Sequence, residues 1–290
     1  MSNAVIIGKG PAGISAALYL IRAGIPTTVV GRDDGALGKV KKIENYYGFE
    51  QPVSGEDLLC TGIRQAERLG VELVADEVLG ITYDGSLNIQ TKKGEYKAGS
   101  VVLATGSSRT SPKIPGLKEL EGHGVSYCAV CDAFFYRGKD VAVLGGGDYA
   151  VHEAMELLPT SRSVTLLTNG GEPQTEIPEP LKICRNEIAS LEGDRSLQRV
   201  VFRDGTELQA AGLFVALGVA GSTALARKVG AATENSRIVV DENMATTVPG
   251  LFAAGDCTGG MLQIAKAVYE GAQAGTQAAK YLRKNEAAAK

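Results

Sequence analysis

The stretch that most restricts the fold lies near the N-terminus, where the apolar run Ala4-Val5-Ile6-Ile7 meets Gly8-Lys9-Gly10-Pro11-Ala12-Gly13. A short apolar run ending in Gly-x-Gly-x-x-Gly, then a helical pattern over 14–23, a stop at Gly24 and a second apolar run over 26–30, predicts a βαβ unit. Gly8 permits the turn, Gly10 lets the backbone approach a pyrophosphate, and Gly13 lets the helix pack close to the strand, with the helix N-terminus facing the phosphates. The glycine spacing alone is weak. With strand, helix and strand around it, it reads as a dinucleotide site. Asp33 and Asp34 are the nearest acids for a ribose and read equally as turn residues before Gly35.

A second constraint is Tyr127-Cys128-Ala129-Val130-Cys131-Asp132. Two thiols separated by two residues can close a small reversible disulfide, and such pairs commonly hold one sulfur as a nucleophilic thiolate. Asp132 directly behind them is a candidate proton donor and acceptor, or a helix-start carboxylate. A zinc half-site or two buried thiols are the alternatives. Structural zinc takes four ligands, whereas Cys60, Cys184, Cys257, His123 and His152 are scattered, so the redox reading is preferred and no metal is expected. Cys184 and Cys257 read as small buried hydrophobes. Past the pair, Val141-Ala142-Val143-Leu144 runs into Gly145-Gly146-Gly147-Asp148, a second strand, glycine turn and helix start.

The remaining pattern alternates in the same way. Helices are expected over 56–69, 148–158, 181–191 and 261–283. Strands are expected over 101–106, 163–167, 197–203, 212–217 and 251–254, with an antiparallel meander over 71–75, 78–83 and 87–91. Residues 39–50 and 168–180 read as loops, and 111–116, with two prolines and a glycine, as a linker. A chain of 290 residues with 37 glycines allows two α/β domains. Five cysteines are too few and too dispersed for a secreted disulfide framework. No apolar run reaches the roughly 18 residues of a membrane span, and no leader pattern is seen, so a cytoplasmic protein without a membrane partner is expected. A net charge of −3 argues against nucleic acid as the main partner.

Together, Gly8-Lys9-Gly10-Pro11-Ala12-Gly13, Ala104-Thr105-Gly106, residues 124–132, Gly145-Gly146-Gly147 and residues 247–256 (Thr-Val-Pro-Gly-Leu-Phe-Ala-Ala-Gly-Asp) resemble the low-molecular-weight thioredoxin reductase family over nearly the whole chain. The resemblance implies an α/β fold of two Rossmann-like, three-layer ββα domains, the second inserted in the first. It implies a discontinuous FAD domain (1–112 and 240–290), an inserted disulfide and pyridine-nucleotide domain (113–239), and a homodimer. Carried over by position, Gly8, Gly10, Pro11, Ala12 and Gly13 would hold the FAD pyrophosphate, with Asn45, Ala104, Thr105, Gly106 and Gly255 around the cofactor. Asp256 would bond the ribityl or phosphate region, and Gln263 and Ile264 would lie by the isoalloxazine. Cys131 would face the flavin, Cys128 would attack the disulfide of thioredoxin or a thioredoxin-like protein, and Asp132 would move the proton.

The chain also departs from that pattern. NADPH-dependent members end the strand after the second glycine turn in a basic run that binds the 2′-phosphate. Here residues 166–172 read Leu-Leu-Thr-Asn-Gly-Gly-Glu, with neither the basic run nor the acid of an NADH site. Tyr269 stands where many members carry a small residue, and the Pro-Asn usual after Gly218 is missing. This combination resembles the ferredoxin-dependent flavin thioredoxin reductases, which implies ferredoxin as donor. An NADPH-dependent enzyme with an unusual site and a non-catalytic flavoprotein sensor are the rival readings.

Overall fold

The computed structural model describes residues 3–106, 112–218 and 220–288, so Ser111 of the expected linker and the position after Gly218 lie outside the described residues. The chain divides into two compact units, 1–109 with 221–290, and 110–220. In the first unit the chain runs β1 (Ala4–Ile7), α1 (Pro11–Arg22), β2 (Thr27–Val30), α2 (Gly55–Arg68), β3 (Glu72–Val74), β4 (Val78–Tyr83), β5 (Leu87–Thr91), β6 (Glu95–Ala98) and β7 (Ser100–Leu103). Pro11 at the first helical position starts α1 with its φ already set. Ser54 caps α2 by accepting from Asp57 N at 3.0 Å. The segment 71–75, expected in the meander, instead pairs in parallel with β2 as the half-exposed edge strand of the sheet. The meander is β4-β5-β6.

The second unit holds β8 (Val125–Ser126), α3 (Ala129–Asp132), β9 (Asp140–Leu144), α4 (Asp148–Leu157), β10 (Ser163–Leu167), β11 (Lys182–Cys184), β12 (Ile188–Glu192), β13 (Arg199–Phe202), β14 (Glu207–Gln209) and β15 (Gly212–Val215). Its parallel sheet has the order β11-β10-β9-β15-β8, and β12-β13-β14 form an antiparallel sheet. The helix expected over 181–191 is replaced by β11 and β12. The two ends of that segment find different partners, β10 on one side and β13 on the other, and Ile188 and Leu191 enter the core beside Val200 and Phe202. Tertiary pairing overrides a weak local helical pattern.

The first unit is completed by α5 (Ser222–Lys228), β16 (Thr233–Glu234), β17 (Arg237–Ile238), β18 (Leu251–Ala253) and α6 (Ile264–Ala288). Residues 221–239, expected with the inserted domain, pack here: Lys228 Nζ donates to Leu79 O at 3.3 Å, and α5 had no distinct signal in the sequence. The parallel sheet, in the order β18-β7-β1-β2-β3, buries Ile6, Val29, Val102 and Phe252 with Leu20 and Ala278 of α1 and α6. The two helices approach closely because Gly271 and Gly275 have no side chains. A Cβ at either would stand 2.1 Å from Ala12 O or 2.4 Å from Ala16 O. Each unit is therefore a parallel five-stranded sheet with helices and a three-stranded antiparallel sheet, a Rossmann-like ββα arrangement. Among the described residues no helix is long and apolar enough to cross a membrane.

Candidate functional site

In the first unit the turns after β1, β7 and β18 leave the carboxyl ends of adjacent parallel strands, the place where such sheets bind ligands. A Cβ on Gly8, at φ +111°, would sit 2.3 Å from Ala104 O, and one on Gly13 would sit 1.9 Å from Gly8 O. Those two glycines are demanded by the chain's own packing. Gly10 differs: nothing lies within 4 Å of a Cβ built there, and no side chain caps the α1 N-terminus that follows. An open face above uncapped amides is what a pyrophosphate requires, so the residues fit FAD. The second turn is fixed by α5, where Ser222 Oγ contacts Thr105 Oγ1 and lies 3.2 Å from Gly106 O.

The third turn is held from below by a largely buried ion pair. Lys266 Nζ lies 3.1 Å from Glu270 Oε2 and donates to Gly255 O and Thr258 Oγ1, each at 2.9 Å, while Glu270 accepts from Gly255 N at 2.8 Å. Asp256 starts a short helical turn over Asp256–Thr258. Asn45 Nδ2 donates to Gln263 Oε1 at 2.9 Å, joining two candidates 218 positions apart, and Ile264 opens α6. The role of Lys266 and Glu270 was missed by sequence reasoning. Their i, i+4 spacing was the only signal. Asp33 accepts from Gly35 N at 3.0 Å, which makes it the turn residue of the two earlier readings. Burial pushes the Cys257 thiol up to about 12, as suits an inert packing residue.

These contacts make Gly10→Val a selective lesion. The backbone there is at φ −75°, which valine adopts without strain, so the variant is expected to fold yet purify colourless with FAD binding lost. Gly13→Val is expected to misfold, since its side chain would collide with Gly8. Far-ultraviolet circular dichroism and the visible flavin spectrum separate the two outcomes.

In the second unit Cys128 and Cys131 are joined in a disulfide. Cys128 is 2% exposed, whereas Cys131 is exposed and Asp132 half-buried. Cys128 is the N-cap of α3, its sulfur accepting from Cys131 N at 3.3 Å. Two groups the sequence did not single out organise the turn. Ser126 Oγ accepts from Cys128 N at 3.1 Å and donates to Asp132 Oδ2 at 2.7 Å. Glu153 of α4, 1% exposed, accepts from Ala129 N at 2.7 Å. Only the placement of a carboxylate on the apolar face of α4 could have flagged it. Among the described residues no group of three or more His, Cys, Asp or Glu side chains forms a metal site.

The second glycine turn repeats the first and then diverges. A Cβ on Gly145 would lie 2.3 Å from Ala216 O, the same clash that Gly8 makes with Ala104 O. Gly147, the counterpart of Gly10, is not open: Gln174 Oε1 stands 3.4 Å from its Cβ position, and Gly146 is flanked by Thr168 Cγ2 at 3.2 Å and Pro173 Cα at 3.6 Å. Gln174 N donates to Gly146 O at 2.7 Å, and Thr175 Oγ1 to Asp148 Oδ1 at 2.8 Å. Arg185, at the end of β11, is the basic group nearest this strand end in the chain's topology, and its Nε lies 3.1 Å from Glu172 Oε2.

Two Rossmann-like units, one with an open glycine turn and the other with a Cys-x-x-Cys disulfide and a more enclosed glycine turn, define a flavin-linked disulfide oxidoreductase. The model of the pyridine nucleotide-disulphide oxidoreductase family matches residues 2–271. The thioredoxin reductase of Peptoclostridium litorale is 36% identical over 301 residues, covering 96% of each chain. The crystal structure of the atypical thioredoxin reductase TRi from Desulfovibrio vulgaris Hildenborough superposes with a TM-score of 0.93 at 43% identity, over 98% of this chain and 99% of that one. A ferredoxin-flavin thioredoxin reductase from Clostridium acetobutylicum gives a TM-score of 0.72 at 30% identity, over 97% and 98%. The chain belongs to the pyridine nucleotide-disulphide oxidoreductases and, among them, to the thioredoxin reductase family, whose cofactor is FAD.

Proposed function

We propose that the chain is a cytoplasmic, homodimeric thioredoxin reductase whose FAD takes electrons from reduced ferredoxin and not from NADPH. The observation that carries the choice of donor is the narrowed second glycine turn. Where Gly10 faces open space, Gly147 has the Gln174 side chain against it and Gly146 has Thr168 and Pro173, so the chain itself narrows the turn that would seat a nucleotide pyrophosphate. The candidate 2′-phosphate strand end carries no cation except Arg185, which Glu172 already engages.

Bound FAD supplies the ability to accept electrons singly and pass them on as a pair. The chain's residues do the rest. Gly8, Gly10, Pro11, Ala12 and Gly13 would hold the pyrophosphate, with Asn45, Ala104, Thr105, Gly106, Gly255, Asp256, Gln263 and Ile264 around the remainder of the cofactor. Cys131, the exposed sulfur, receives the electron pair. Cys128 then attacks the disulfide of thioredoxin or a thioredoxin-like protein, which requires that its buried sulfur first be exposed. Asp132, held by the Ser126 hydroxyl, exchanges the proton. Plant-type ferredoxins near about −400 mV and thioredoxin near about −270 mV make the transfer downhill by roughly 6 kcal/mol for two electrons. Anaerobic mixing with NADPH, NADH or reduced ferredoxin, with the flavin absorbance followed, tests the proposal.

The loop after the short turn Leu37–Lys39 exposes Lys39, Lys41 and Lys42, a basic cluster in a chain of net charge −3. Acidic ferredoxins are steered by such a patch. Replacing all three by Glu is expected to slow ferredoxin-driven reduction about tenfold at low ionic strength and to have no effect once salt shortens the screening length to about 3 Å. Equal rates at low salt would remove the loop from the docking surface.

A further inference from the structure

The disulfide turn is anchored by a buried carboxylate that the reaction as described does not use. Glu153 Oε2 takes the Ala129 N–H at 2.7 Å, one peptide away from Cys128, and both Glu153 and Cys128 are almost fully buried, at 1% and 2% exposure. The bond fixes the first residue of α3, and therefore the Cys128 backbone that caps it. A carboxylate placed there also bears on the charge state of the turn. The disulfide is neutral, whereas the reduced pair carries a negative charge whenever one thiol ionises, and like charges in a poorly solvated setting disfavour each other.

We propose that Glu153 is a positioning residue that holds the dithiol turn through Ala129 and, by its charge, opposes the thiolate, making the reduced pair a stronger reductant above neutral pH. This rests on the disulfide reductase reading and is independent of the electron donor. Among the described residues, the other ionisable groups around the turn are Tyr127 directly before Cys128, Asp132 on the turn itself and Tyr136 just beyond it, which burial and then Asp132 keep protonated. Helix α4 adds Asp148, which Thr175 engages, Tyr149, which burial and then Glu153 keep protonated, His152 and Glu156. Asp132 is the remaining acid on the disulfide turn itself, and its carboxylate accepts from Ser126. Glu153 is the carboxylate bonded directly to the backbone next to Cys128.

The redox balance gives a signature. Reduction of Cys128–Cys131 by dithiothreitol transfers two electrons and two protons while the reagent closes its own ring disulfide. Above the pKa of the more acidic thiol, one of those protons remains in solvent and the turn holds a thiolate. Glu153→Gln keeps an oxygen for Ala129 N–H and removes the charge. The anaerobic holoenzyme is equilibrated with a dithiothreitol couple across pH, quenched with iodoacetamide, and the peptide containing Cys128 and Cys131 is quantified by mass spectrometry. The dithiol-to-disulfide ratios of variant and wild type are expected to coincide near about pH 6 and to diverge to about tenfold in favour of the variant's dithiol near about pH 9.5, equivalent to one unit of thiol pKa. Glu153→Asp, which keeps the charge, should follow wild type. A gap that is constant with pH, or no gap, overturns the proposal. If Glu153→Gln fails to fold, the pH dependence of iodoacetamide alkylation of the wild-type pair decides: a lower thiol pKa at or above about 8.5 is expected, and one near about 7 overturns it.

Discussion

Anaerobic mixing with micromolar NADPH is expected to leave the flavin of this protein oxidised on the timescale of turnover, while reduced ferredoxin bleaches it. A 2′-phosphate is normally met by Arg or Lys. Residues 164–176 contain neither, and Arg185 at the neighbouring strand end is taken by Glu172. Two missing charge-assisted contacts at about 1.5–3 kcal/mol each amount to a loss of roughly two to four orders of magnitude in affinity. The pyrophosphate seat is also less open than the first, because Gln174, anchored by its N–H to Gly146 O, places its side-chain oxygen against Gly147. NADH escapes the loss of charge-assisted contacts but meets the same seat, and finds no acid at the strand end for its ribose. The measurement is stopped-flow flavin absorbance. Bleaching by NADPH at a catalytically competent rate would falsify the ferredoxin assignment and return the protein to the NADPH-dependent class.

Cys128→Ser and Cys131→Ser are each expected to abolish thioredoxin reduction, by at least about a thousandfold, because a single thiol cannot re-form the disulfide that carries the electron pair. The two variants should nevertheless differ. Under the proposed assignment, Cys128→Ser would leave Cys131 as the sulfur that meets oxidised flavin, and a long-wavelength absorbance is expected once the pH is raised far enough to ionise it. In Cys131→Ser that band is absent, and Cys128 captures a thioredoxin disulfide as a mixed disulfide that persists on a non-reducing gel, since the resolving sulfur is gone. The opposite pattern would exchange the roles of the two sulfurs. It is a direct question for this chain, because Cys128 is the buried sulfur and Cys131 the exposed one.

Much of the framework was legible because its signals are local. The runs before Gly8 and Gly145 can only be strands entering glycine turns, and the structure puts β1 and β9 there. The segment 181–191 was misread as a helix because a short apolar pattern does not distinguish one helix from two strands until its partners are known. The extra strand β3 is a similar case. Its residues fit a meander or a parallel sheet equally well, and backbone pairing with β2 decided for the sheet.

By itself the sequence determined whatever depends on a residue's own conformational range or on close neighbours: the two glycine turns, the start of α1 at Pro11, and a thiol pair three positions apart that closes a disulfide. Only the tertiary structure decided what occupies the space around those elements. It left Gly10 open and set the Gln174 side chain against Gly147, although both glycines are in the extended region. It brought Glu153 to Ala129 across 24 positions and Asn45 to Gln263 across 218. The physical reason is that a local pattern states which backbone angles a turn must adopt, whereas the segment that packs against the turn is selected by burial and hydrogen bonding over the whole unit.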